Sequence, residues 1–437
     1  MENNKLSIRM HGIPIGILKQ SNGKLEFHLK PWSENQLQIS QSLPISETER
    51  IFPESECKSF FEGLLPDSEE ARKALAKKYG FSERNIFKLL EAIGAECAGA
   101  ISFHHINSII NEKQNEIIEA DYKTDQEIEI YLNEKLTSNP LLNGIDDIRL
   151  SLAGVQNKIC IVVDCQNPAT APIGLPHRGT LSTHILKPEI KNFPNSAYNE
   201  YFCLTLAKEI GINTANVTFR KIGSIPCIIV ERYDRAVIID WQILGSQRIT
   251  RLHQEDFCQA LGKSPSQKYQ NEGGPSFNDC FELLKNVSPL LARDWITFID
   301  YILFNFIVGN TDAHGKNFSL LYDTAGFIPR LAPLYDVLCC QIYPEHSEKM
   351  AMKIDSKYLA KDVHKRHWEK FYHSINISFP QFKKRAKEFY TILPLHLNNV
   401  IEHEKEIHPE YKEFTKELQI LIHENINHFL KKIDYTA

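Results

Sequence analysis

Apolar and polar residues alternate at the start of the chain, which is the pattern of short β-strands with one buried face. Three segments show this alternation: Leu6–Met10, Ile13–Leu18 and Leu25–Leu29. The turn between the last two contains Asn22-Gly23, a pair that tolerates the positive φ angles of a tight hairpin. A helix is predicted to begin at Pro66–Glu70, which supplies a cap and first-turn acids, and to end at Gly80. Residues 1–108 are therefore predicted to form a separate α+β subdomain.

The next region is polar and is predicted to be a linker over residues 109–147. It carries one predicted helix, which runs from the capping box Thr124…Glu127 to about Leu136. Ser138-Asn139-Pro140 and Asn143-Gly144 then break the chain.

From residue 148 the pattern changes to short β-prone segments and then to helices. The β-prone segments are Ile159–Val163, His184–Leu186 and Cys227–Val230. One helix lies among them, over Ala197–Ile210, and Gly211 ends it. After Glu255 the pattern is mostly helical. We therefore predict a small β-rich lobe at 148–237 and a large helical lobe at 238–437. This order is that of a bilobal protein-kinase-like fold of the α+β class, although the pattern alone also fits other α+β folds.

Composition narrows the class of protein without identifying it. The chain has 437 residues, of which 42% are hydrophobic and 24% charged, and its formal net charge is −5. These values are ordinary for a globular protein and do not indicate a nucleic-acid coat or a membrane-surface binder. There is no apolar run long enough to span a membrane, and the N-terminus lacks the order of a signal peptide. The ten cysteines have no zinc-site spacing, so we expect reduced thiols and a cytoplasmic location.

A polar loop stands between two apolar segments in the predicted helical lobe. Tyr301–Val308 is almost wholly apolar, Gly309–Asn317 is polar, and Phe318–Leu321 is apolar again. Two buried elements would hold such a loop rigidly, as a catalytic loop requires. Asp312 and Asn317 are five residues apart, the spacing at which protein kinases place a catalytic aspartate and a metal-binding asparagine. A pair with this spacing also fits a turn-forming aspartate and a helix-capping asparagine.

Two more side chains extend this candidate site. Asp336 follows a predicted hairpin with its turn at Asp323-Thr324-Ala325-Gly326, and it is a candidate ligand of the Mg²⁺ that bridges the phosphates of ATP. His314 either contacts the γ-phosphate or forms a hydrogen bond within the loop.

Phosphoryl transfer also needs positive charge on the phosphates. Lys187 ends a β-prone segment, and either Glu200 or Glu189 is its candidate acidic partner. The segment Ala153–Lys158 precedes the first strand of the lobe, where its backbone N–H groups would cradle phosphates. It has only one glycine, so it is neither G-x-G-x-x-G nor a Walker A loop, and an ordinary loop is the alternative.

A candidate adenine site lies at Glu231–Tyr233, directly after an apolar strand. Backbone groups there would hydrogen-bond the base, and Tyr233 would lie against its ring. The alternative is a strand end with a surface ion pair between Asp234 and Arg232 or Arg235.

Together these residues resemble the HipA family of serine/threonine kinases, the toxins of bacterial HipBA-type toxin–antitoxin modules, over essentially the whole chain. In the N-terminal part the matching motifs are Leu64–Arg72 and Glu96–Ala100. In the kinase part they are Ser151–Lys158, Glu231–Arg235, Arg251–Asp256, Gly309–Asn317 and Ala332–Asp336.

The resemblance implies a role for each matching residue. Asp312 would be the catalytic base, and Asn317 and Asp336 would bind Mg²⁺. The nucleotide-binding residues would be Ala153, Gly154, Val155, Gln156, Asn157, Lys158, Lys187, Glu231, Arg232, Tyr233, His314, Gly315, Lys316, Asn317, Tyr335 and Asp336. Ser151 would be the autophosphorylated serine, although by itself it fits a turn or cap residue. A phosphate there adds about −1.5 to −2 charges, which would expel the loop and inactivate the enzyme.

The resemblance also implies partners. A HipB-like helix-turn-helix antitoxin would bind the kinase and tether it to operator DNA. Lys384 and Arg385, in the basic run Lys383–Lys387, are candidate DNA contacts, although a solvated helix face explains that run equally well. The implied protein substrate is an aminoacyl-tRNA synthetase, notably glutamyl-tRNA synthetase, whose phosphorylation slows translation. The residues alone do not identify that substrate.

Two other functions remain open from the sequence. The Asp-x-His-x-x-Asn pattern also resembles the loop of phosphatidylinositol kinases, so a lipid or small-molecule kinase is one alternative. A catalytically silent co-repressor bound to an antitoxin is the other. The presence of Lys187, Asp312, Asn317 and Asp336 argues against it, because a pseudokinase usually lacks one of them.

Overall fold

The computed structural model describes residues 4–31, 38–106, 119–137, 158–177, 180–240, 246–322 and 328–433. The chain divides into two compact units, each assembled from three segments. The first, here called the β unit, contains Met1–Ile190, Thr218–Ser266 and Ser319–Pro329. The second, here called the helical unit, contains Lys191–Val217, Gln267–Phe318 and Arg330–Ala437. The chain therefore passes from one unit to the other five times.

The β unit begins with a five-stranded antiparallel sheet and three helices. The strands are β1 (Lys5–Met10), β2 (Ile13–Ser21), β3 (Lys24–Leu29), β4 (Arg50–Pro53) and β5 (Ile101–His105), in the order β4-β3-β2-β1-β5. The helices are α1 (Glu54–Gly63), α2 (Glu69–Tyr79) and α3 (Ile86–Ile93). The predicted hairpin is confirmed, because Asn22 and Gly23 have φ angles of 50° and 79°. The predicted end of α2 is confirmed as well, since Gly80 caps it with a φ of 72°.

This N-terminal part has a core of its own. Alternate residues of β1 and β3 are buried, as the two-residue period predicts. They pack with the apolar faces of α1 and α3 around the fully buried Phe27, Phe52, Phe60 and Phe61.

Residues 120–137, predicted to be part of a linker, instead belong to a second core of the β unit. Strand β6 (Ala120–Lys123) pairs with β8 (Ile173–Pro176), and helix α4 (Asp125–Thr137) buries Ile128 and Leu132 in that core. The helix itself and the Thr124–Glu127 capping contact are confirmed. Its assignment to a linker is wrong, because apolar residues four apart form one helix face that needs a partner surface.

The same core underlies the sheet of the predicted β-rich lobe. Strands β7 (Ile159–Ile161), β9 (His184–Pro188), β10 (Val217–Ile222) and β11 (Ile225–Glu231) form it in the order β10-β11-β9-β7. Further along, β12 (Arg235–Asp240) pairs with β13 (Ser246–Arg251), and β14 (Gln254–Asp256) pairs with β15 (Ser319–Tyr322). The short helix α6 (Phe257–Ala260) follows β14 and contacts α1.

Buried charges join the two cores of the β unit. Arg232 contacts Glu96 at 3.0 Å and Asp234 at 2.8 Å, and Arg235 contacts Asp234 at 3.0 Å. Asp234 also accepts the N–H of Gly99 at 2.7 Å. The side chains of both arginines are only 1% exposed. The N-terminal part and the β-rich lobe are therefore two halves of one compact unit, whereas the sequence predicts a separate N-terminal subdomain.

The helical unit is built from six helices. They are α5 (Ser196–Glu209), α7 (Phe277–Val287), α8 (Leu291–Val308), α9 (Lys365–Ser374), α10 (Phe379–Ile407) and α11 (Lys412–Lys432). Strand β16 (Pro329–Leu331) lies at the last boundary between the units, and β17 (Lys349–Ile354) pairs with β18 (Lys357–Leu359). The fully buried Trp368 stacks on Phe382, with ring centroids 5.4 Å apart. No helix in the described part of the chain is long and apolar enough to cross a membrane.

Candidate active site

The candidate catalytic loop begins where α8 ends. Gly309 adopts a φ of 74°, and its N–H donates to the carbonyl of Asn305 in the last turn. This left-handed conformation at a helix C-terminus favours glycine. A Cβ at position 309 would also lie 2.5 Å from Oε1 of Gln341. Conformation and space therefore both require glycine at this position.

Hydrogen bonds fix the first residues of the loop. Nδ2 of Asn310 donates to Oδ1 of Asn305 at 2.7 Å, and Oδ1 of Asn310 accepts the N–H of Asp312 at 3.1 Å. The carbonyl of Thr311 accepts the N–H of Ala351, in β17, at 2.8 Å. The backbone on both sides of position 311 is thus held by neighbouring elements of the helical unit.

Asn317 closes the loop onto Asp312. Its Nδ2 donates to the backbone carbonyl of Asp312 at 3.0 Å, and the N–H of His314 donates to the same carbonyl at 2.7 Å. Because Nδ2 of Asn317 is the donor, Oδ1 is the acceptor end of the amide, a neutral oxygen of the kind that Mg²⁺ binds. The five-residue spacing in the sequence thus corresponds to a direct contact.

One side chain on Asp312 is not indicated by any motif of the sequence. The hydroxyl of Tyr269 donates to Oδ1 of Asp312 at 2.7 Å. Its ring meets the imidazole of His314 edge to face, with centroids 5.3 Å apart. Burial, and next the charge of Asp312, raise the pKa of Tyr269, so the hydroxyl keeps its proton and remains the donor. The two residues are 43 positions apart, and no local pattern links them.

His314 is buried and uncharged at neutral pH. Burial lowers its pKa to about 4; Lys268 and Lys316 add to this effect, and the carboxylates of Asp312 and Asp336 oppose it. Its Nδ1 is buried and has no hydrogen-bond partner among the described residues. A neutral ring cannot bind a phosphate by charge, but it can still form a hydrogen bond to one, so both interpretations of His314 stay predictions. Both carboxylates lie close enough to His314 to affect the charge of this one ring.

The backbone at Asp336 has an uncommon conformation. Asp336 has a φ of 59°, the left-handed region that few non-glycine residues adopt outside turns and functional sites. The preceding residues are anchored on both sides: Leu334 exchanges backbone hydrogen bonds with Asn213 and Ala215, and the hydroxyl of Tyr335 donates to the carbonyl of Lys316 at 2.8 Å. The second contact joins the Asp336 segment to the catalytic loop.

The donors in this region fit a nucleotide-borne Mg²⁺ rather than a metal cage. Within the described ranges no three His, Cys, Asp or Glu side chains form a metal-binding group. Mg²⁺ needs only one or two protein oxygens when phosphates supply the others. Asn317 and Asp336 offer two such oxygens, one neutral and one anionic.

The predicted phosphate-binding lysine lies in the β unit. Lys187 is on β9 opposite Ile228 of β11 and is 7% exposed. Its two candidate partners lie in different units: Glu189 follows β9, whereas Glu200, only 1% exposed, is on α5 of the helical unit. Lys158, directly before β7, is half-buried.

Arg232 is not available to bind adenine. Its backbone N–H donates to Thr183 at 2.9 Å, and its carbonyl accepts the N–H of Arg235 at 3.2 Å. Its guanidinium belongs to the buried network with Asp234. The alternative interpretation, an ion pair after the strand, is therefore correct in its partners, although the pair is buried rather than at the surface.

The residues on either side of Arg232, which are Glu231 and Tyr233, have other contacts. Glu231 ends β11 opposite His184 and is half-buried. The hydroxyl of Tyr233 donates to Oε1 of Gln254, which holds this ring in the β unit. Their role in nucleotide binding stays a prediction.

Two family models match the chain, and together they cover most of it. The HipA N-terminal domain matches residues 6–104, and the HipA-like C-terminal domain matches residues 150–395. The chain belongs to the HipA family. The second match alone spans more than half of the 437 residues.

Individual relatives are also similar to this chain over most of its length. The serine/threonine-protein kinase toxin HipA of Shewanella oneidensis is 33% identical over 344 residues, 76% of this chain and 73% of that protein. A Sinorhizobium fredii protein named "Putative kinase Y4mE" is 39% identical over 407 residues, 92% and 89% of the two chains. A solved structure of the Shewanella oneidensis complex of HipA, HipB and operator DNA contains a chain that matches with a TM-score of 0.82 and 25% identity, over 98% of both chains. The predicted α+β kinase-like fold is thereby confirmed.

Part of the HipA-family phosphate loop lies outside the described residues. Ser151 and Ala153–Asn157 fall there, and only Lys158 of that motif is described. Autophosphorylation and phosphate binding by this loop stay predictions.

The two predicted DNA-contacting residues have different surroundings. Arg385, on α10, holds Asp300 through Nε at 2.8 Å and NH2 at 2.5 Å, and it also contacts Glu388 at 3.3 Å. Its side chain is still 40% exposed. Lys384 is exposed on the same helix. The DNA contact of both residues stays a prediction.

Proposed function

We propose that this HipA-family chain is an ATP- and Mg²⁺-dependent serine/threonine protein kinase and the toxin of a toxin–antitoxin pair. The proposal rests above all on the contact of Asn317 with Asp312 in the catalytic loop. The carboxylates of Asp312 and Asp336 both affect the imidazole of His314. A carboxylate for the acceptor hydroxyl and two oxygens for Mg²⁺ are what phosphoryl transfer requires. The relatives named as kinases support the same conclusion.

In the proposed reaction the acceptor oxygen forms a bond to the γ-phosphorus of ATP, the bond from that phosphorus to the β–γ bridging oxygen breaks, and ADP leaves. Asp312 orients the acceptor hydroxyl and takes its proton. Mg²⁺ held by Asn317 and Asp336 would neutralise charge on the phosphates. The phosphate-binding roles of Lys187 and Lys158 stay predictions from the sequence.

The proposed partners follow from the relatives. A HipB-like antitoxin would bind this chain and link it to operator DNA, as the named components of the Shewanella oneidensis complex suggest. An aminoacyl-tRNA synthetase of the glutamyl type is the proposed protein substrate. Phosphorylation of Ser151 would inactivate the kinase by placing a dianion in its own phosphate loop.

Intact-mass measurement of the purified protein with ATP and Mg²⁺ tests the proposal. We expect one added phosphate on the wild type, and none on Asp312→Ala, because removal of a catalytic base slows transfer by about 10²- to 10⁴-fold. Ser151→Ala is expected to accept no phosphate but to phosphorylate the synthetase supplied with it.

Two outcomes would change the conclusion. A phosphate that survives Ser151→Ala keeps the kinase and rejects Ser151 as the site of inactivation. If no form transfers phosphate, even after phosphatase treatment and with synthetases added, the silent co-repressor becomes the better interpretation.

A further inference from the structure

The carboxylate of Asp312 is held by a second element of the helical unit. Oδ1 of Asp312 accepts the Tyr269 hydroxyl at 2.7 Å, a short bond of the kind that forms to a charged acceptor. Asp312 itself is half-buried, which leaves part of its surface open for an acceptor group. A carboxylate with one oxygen bound in this way can rotate little, so the direction of the other oxygen is fixed.

The segment that carries Tyr269 keeps its place without this hydroxyl. The carbonyl of Tyr269 accepts the N–H groups of Glu272 and Gly274 at 3.0 and 2.9 Å, which forms a closed turn. The preceding residue, Lys268, accepts the N–H of Gly315 in the catalytic loop at 3.2 Å. The following residue, Gln270, accepts the N–H of Lys353 in β17 at 2.9 Å. The hydroxyl is therefore not needed to hold the segment against the loop.

The ring of Tyr269 has a separate contact. It meets the imidazole of His314 edge to face, and Nζ of Lys268 lies 5.2 Å from the centroid of the tyrosine ring. A phenylalanine would keep both ring contacts and lose only the hydrogen bond to Asp312. The Tyr269→Phe variant therefore keeps the packing of the ring and removes only the hydrogen bond that orients the Asp312 carboxylate.

We propose that Tyr269 is a positioning residue of the kinase: its hydroxyl holds Oδ1 of Asp312 so that Oδ2 faces the acceptor hydroxyl. This inference rests on the proposed function, since it assigns Asp312 the role of base. A neutral donor suits this task, because it orients the carboxylate without adding a positive charge that would weaken it as a base. Tyr269 is not among the predicted nucleotide-binding residues, so its contribution is expected in the transfer step.

The test compares Tyr269→Phe with wild type in transfer of radiolabelled phosphate from Mg²⁺-ATP to the protein itself, at several ATP concentrations. Each chain accepts one phosphate, so kcat here is the first-order rate constant of that single transfer at saturating ATP, and KM is the ATP concentration that gives half of it. We expect kcat to fall about tenfold, the effect of one hydrogen bond to a charged group, and KM for ATP to stay within about twofold. Tyr201→Phe, on α5, is the matched control. It removes a hydroxyl that donates to a carboxylate oxygen of Glu404 at 3.1 Å in the same unit, and kcat is expected to be unchanged.

The other outcomes are distinct. A wild type that transfers phosphate and an Asp312→Ala variant that does not, together with an unchanged kcat for Tyr269→Phe, would reject the positioning role and leave the kinase intact. A faster Tyr269→Phe would also reject it and would mean that the hydroxyl blocks the acceptor. An equal fall in kcat for Tyr201→Phe would reject a specific role of the Tyr269 hydroxyl, because any lost hydroxyl would then have the same effect. A wild type without transfer would reject the proposed function, and the role of Tyr269 with it.

Discussion

Glu255 shows, at the scale of a single residue, how burial sets ionisation in this chain. It is 1% exposed and accepts hydrogen bonds from the hydroxyl of Ser40 at 2.5 Å, the N–H of Gln41 at 3.0 Å and the hydroxyl of Tyr322 at 2.5 Å. Burial raises the pKa of Glu255 to about 7; these bonds oppose the shift, and the nearby Asp256 adds to it. The group therefore titrates near neutral pH in the folded protein.

Glu255→Gln is expected to remove one part of the pH dependence of stability. Between its ordinary pKa of 4.5 and about 7, the folded protein keeps this proton and the unfolded chain does not. The free energy of unfolding therefore falls as pH rises through that window, by about 3 kcal/mol at most for this group. Urea unfolding at several pH values checks this.

The matched control for that measurement is Glu69→Gln. Glu69 is exposed and pairs with Lys73, which lowers its pKa, so this variant should keep the wild-type pH dependence between about pH 4.5 and 7. Identical pH profiles for wild type and Glu255→Gln would show that Glu255 does not titrate in this window.

Residues whose contacts are local were predictable from the sequence, and those with distant contacts were not. The spacing of Asp312 and Asn317 is a property of one loop, and the contact exists. Tyr269 acts on Asp312 across 43 residues, so no pattern within a window contains both. Arg232 was misassigned for the same reason, because Glu96, one of its buried partners, is 136 residues away.

At the scale of elements, α11 supports the catalytic loop through one asparagine. Nδ2 of Asn425 donates to the carbonyl of Ile307 and to Oε1 of Gln341, both at 2.8 Å. The carbonyl of Ile307 is in the last turn of α8, where no intrahelical donor remains. The N–H of Gln341 in turn donates to Gly309 at 3.3 Å. The C-terminal helix α11 thus holds the end of α8.

Asn425→Ala is expected to loosen the loop more than it destabilises the protein. Loss of these hydrogen bonds should lower the free energy of unfolding by about 1 kcal/mol, and amide exchange at residues 309–312 should become faster. Hydrogen exchange read by mass spectrometry measures both. Asn398→Ala, at an exposed position on α10, is the control and should change neither. Unchanged exchange at the loop in Asn425→Ala would argue against the supporting role.

Helices and strands with a clear hydrophobic periodicity can be predicted from the sequence, and short strands cannot. The helices α2, α4 and α5 have caps or glycine stops that the sequence displays. Strands β17 and β18 have six and three residues, which is too short for a period to stand out from the helical pattern around them. The sequence predicts helix α4 but not its place in a core. Its apolar face indicates that the helix packs against another surface, but not that this surface is the sheet of the second core.

At the scale of the whole molecule, a network of buried charged side chains joins the two cores of the β unit. Glu96 and Asp234 face Arg232 and Arg235, and Arg251 acts on both acids from nearby. Burial alone would raise the pKa values of both acids, but the arginines outweigh it and lower them. Burial and the neighbouring Arg232 lower the pKa of Arg235 to about 10. The arginines thus keep both acids ionised, and Arg235 still carries its charge at neutral pH.

Asp234→Asn is expected to destabilise the chain strongly. It leaves two buried arginines with one carboxylate, and breaking a buried pair in this way costs about 3–5 kcal/mol. The stabilisation by Asp234 is complete above its ordinary pKa of 3.8 and is lost as pH falls through its lowered value. Thermal and urea unfolding measure the loss.

Asp164→Asn provides the comparison for that variant. Asp164 is an exposed acid of the same unit that contacts only its own turn, so its change should be small. An Asp234→Asn protein as stable as Asp164→Asn would mean that apolar packing alone joins the two cores.

The two interleaved units also set an order of events during synthesis. The first core, within residues 6–103, is available early, and the second needs the chain as far as residue 229. Strand β14 must wait for β15 at Ser319–Tyr322. Asp312 therefore leaves the ribosome before the β unit can close, and α11, which holds the end of α8, comes last. A nascent chain would thus carry its candidate base long before it carries the support for it, and no single cut in the gene can separate one complete unit from the other.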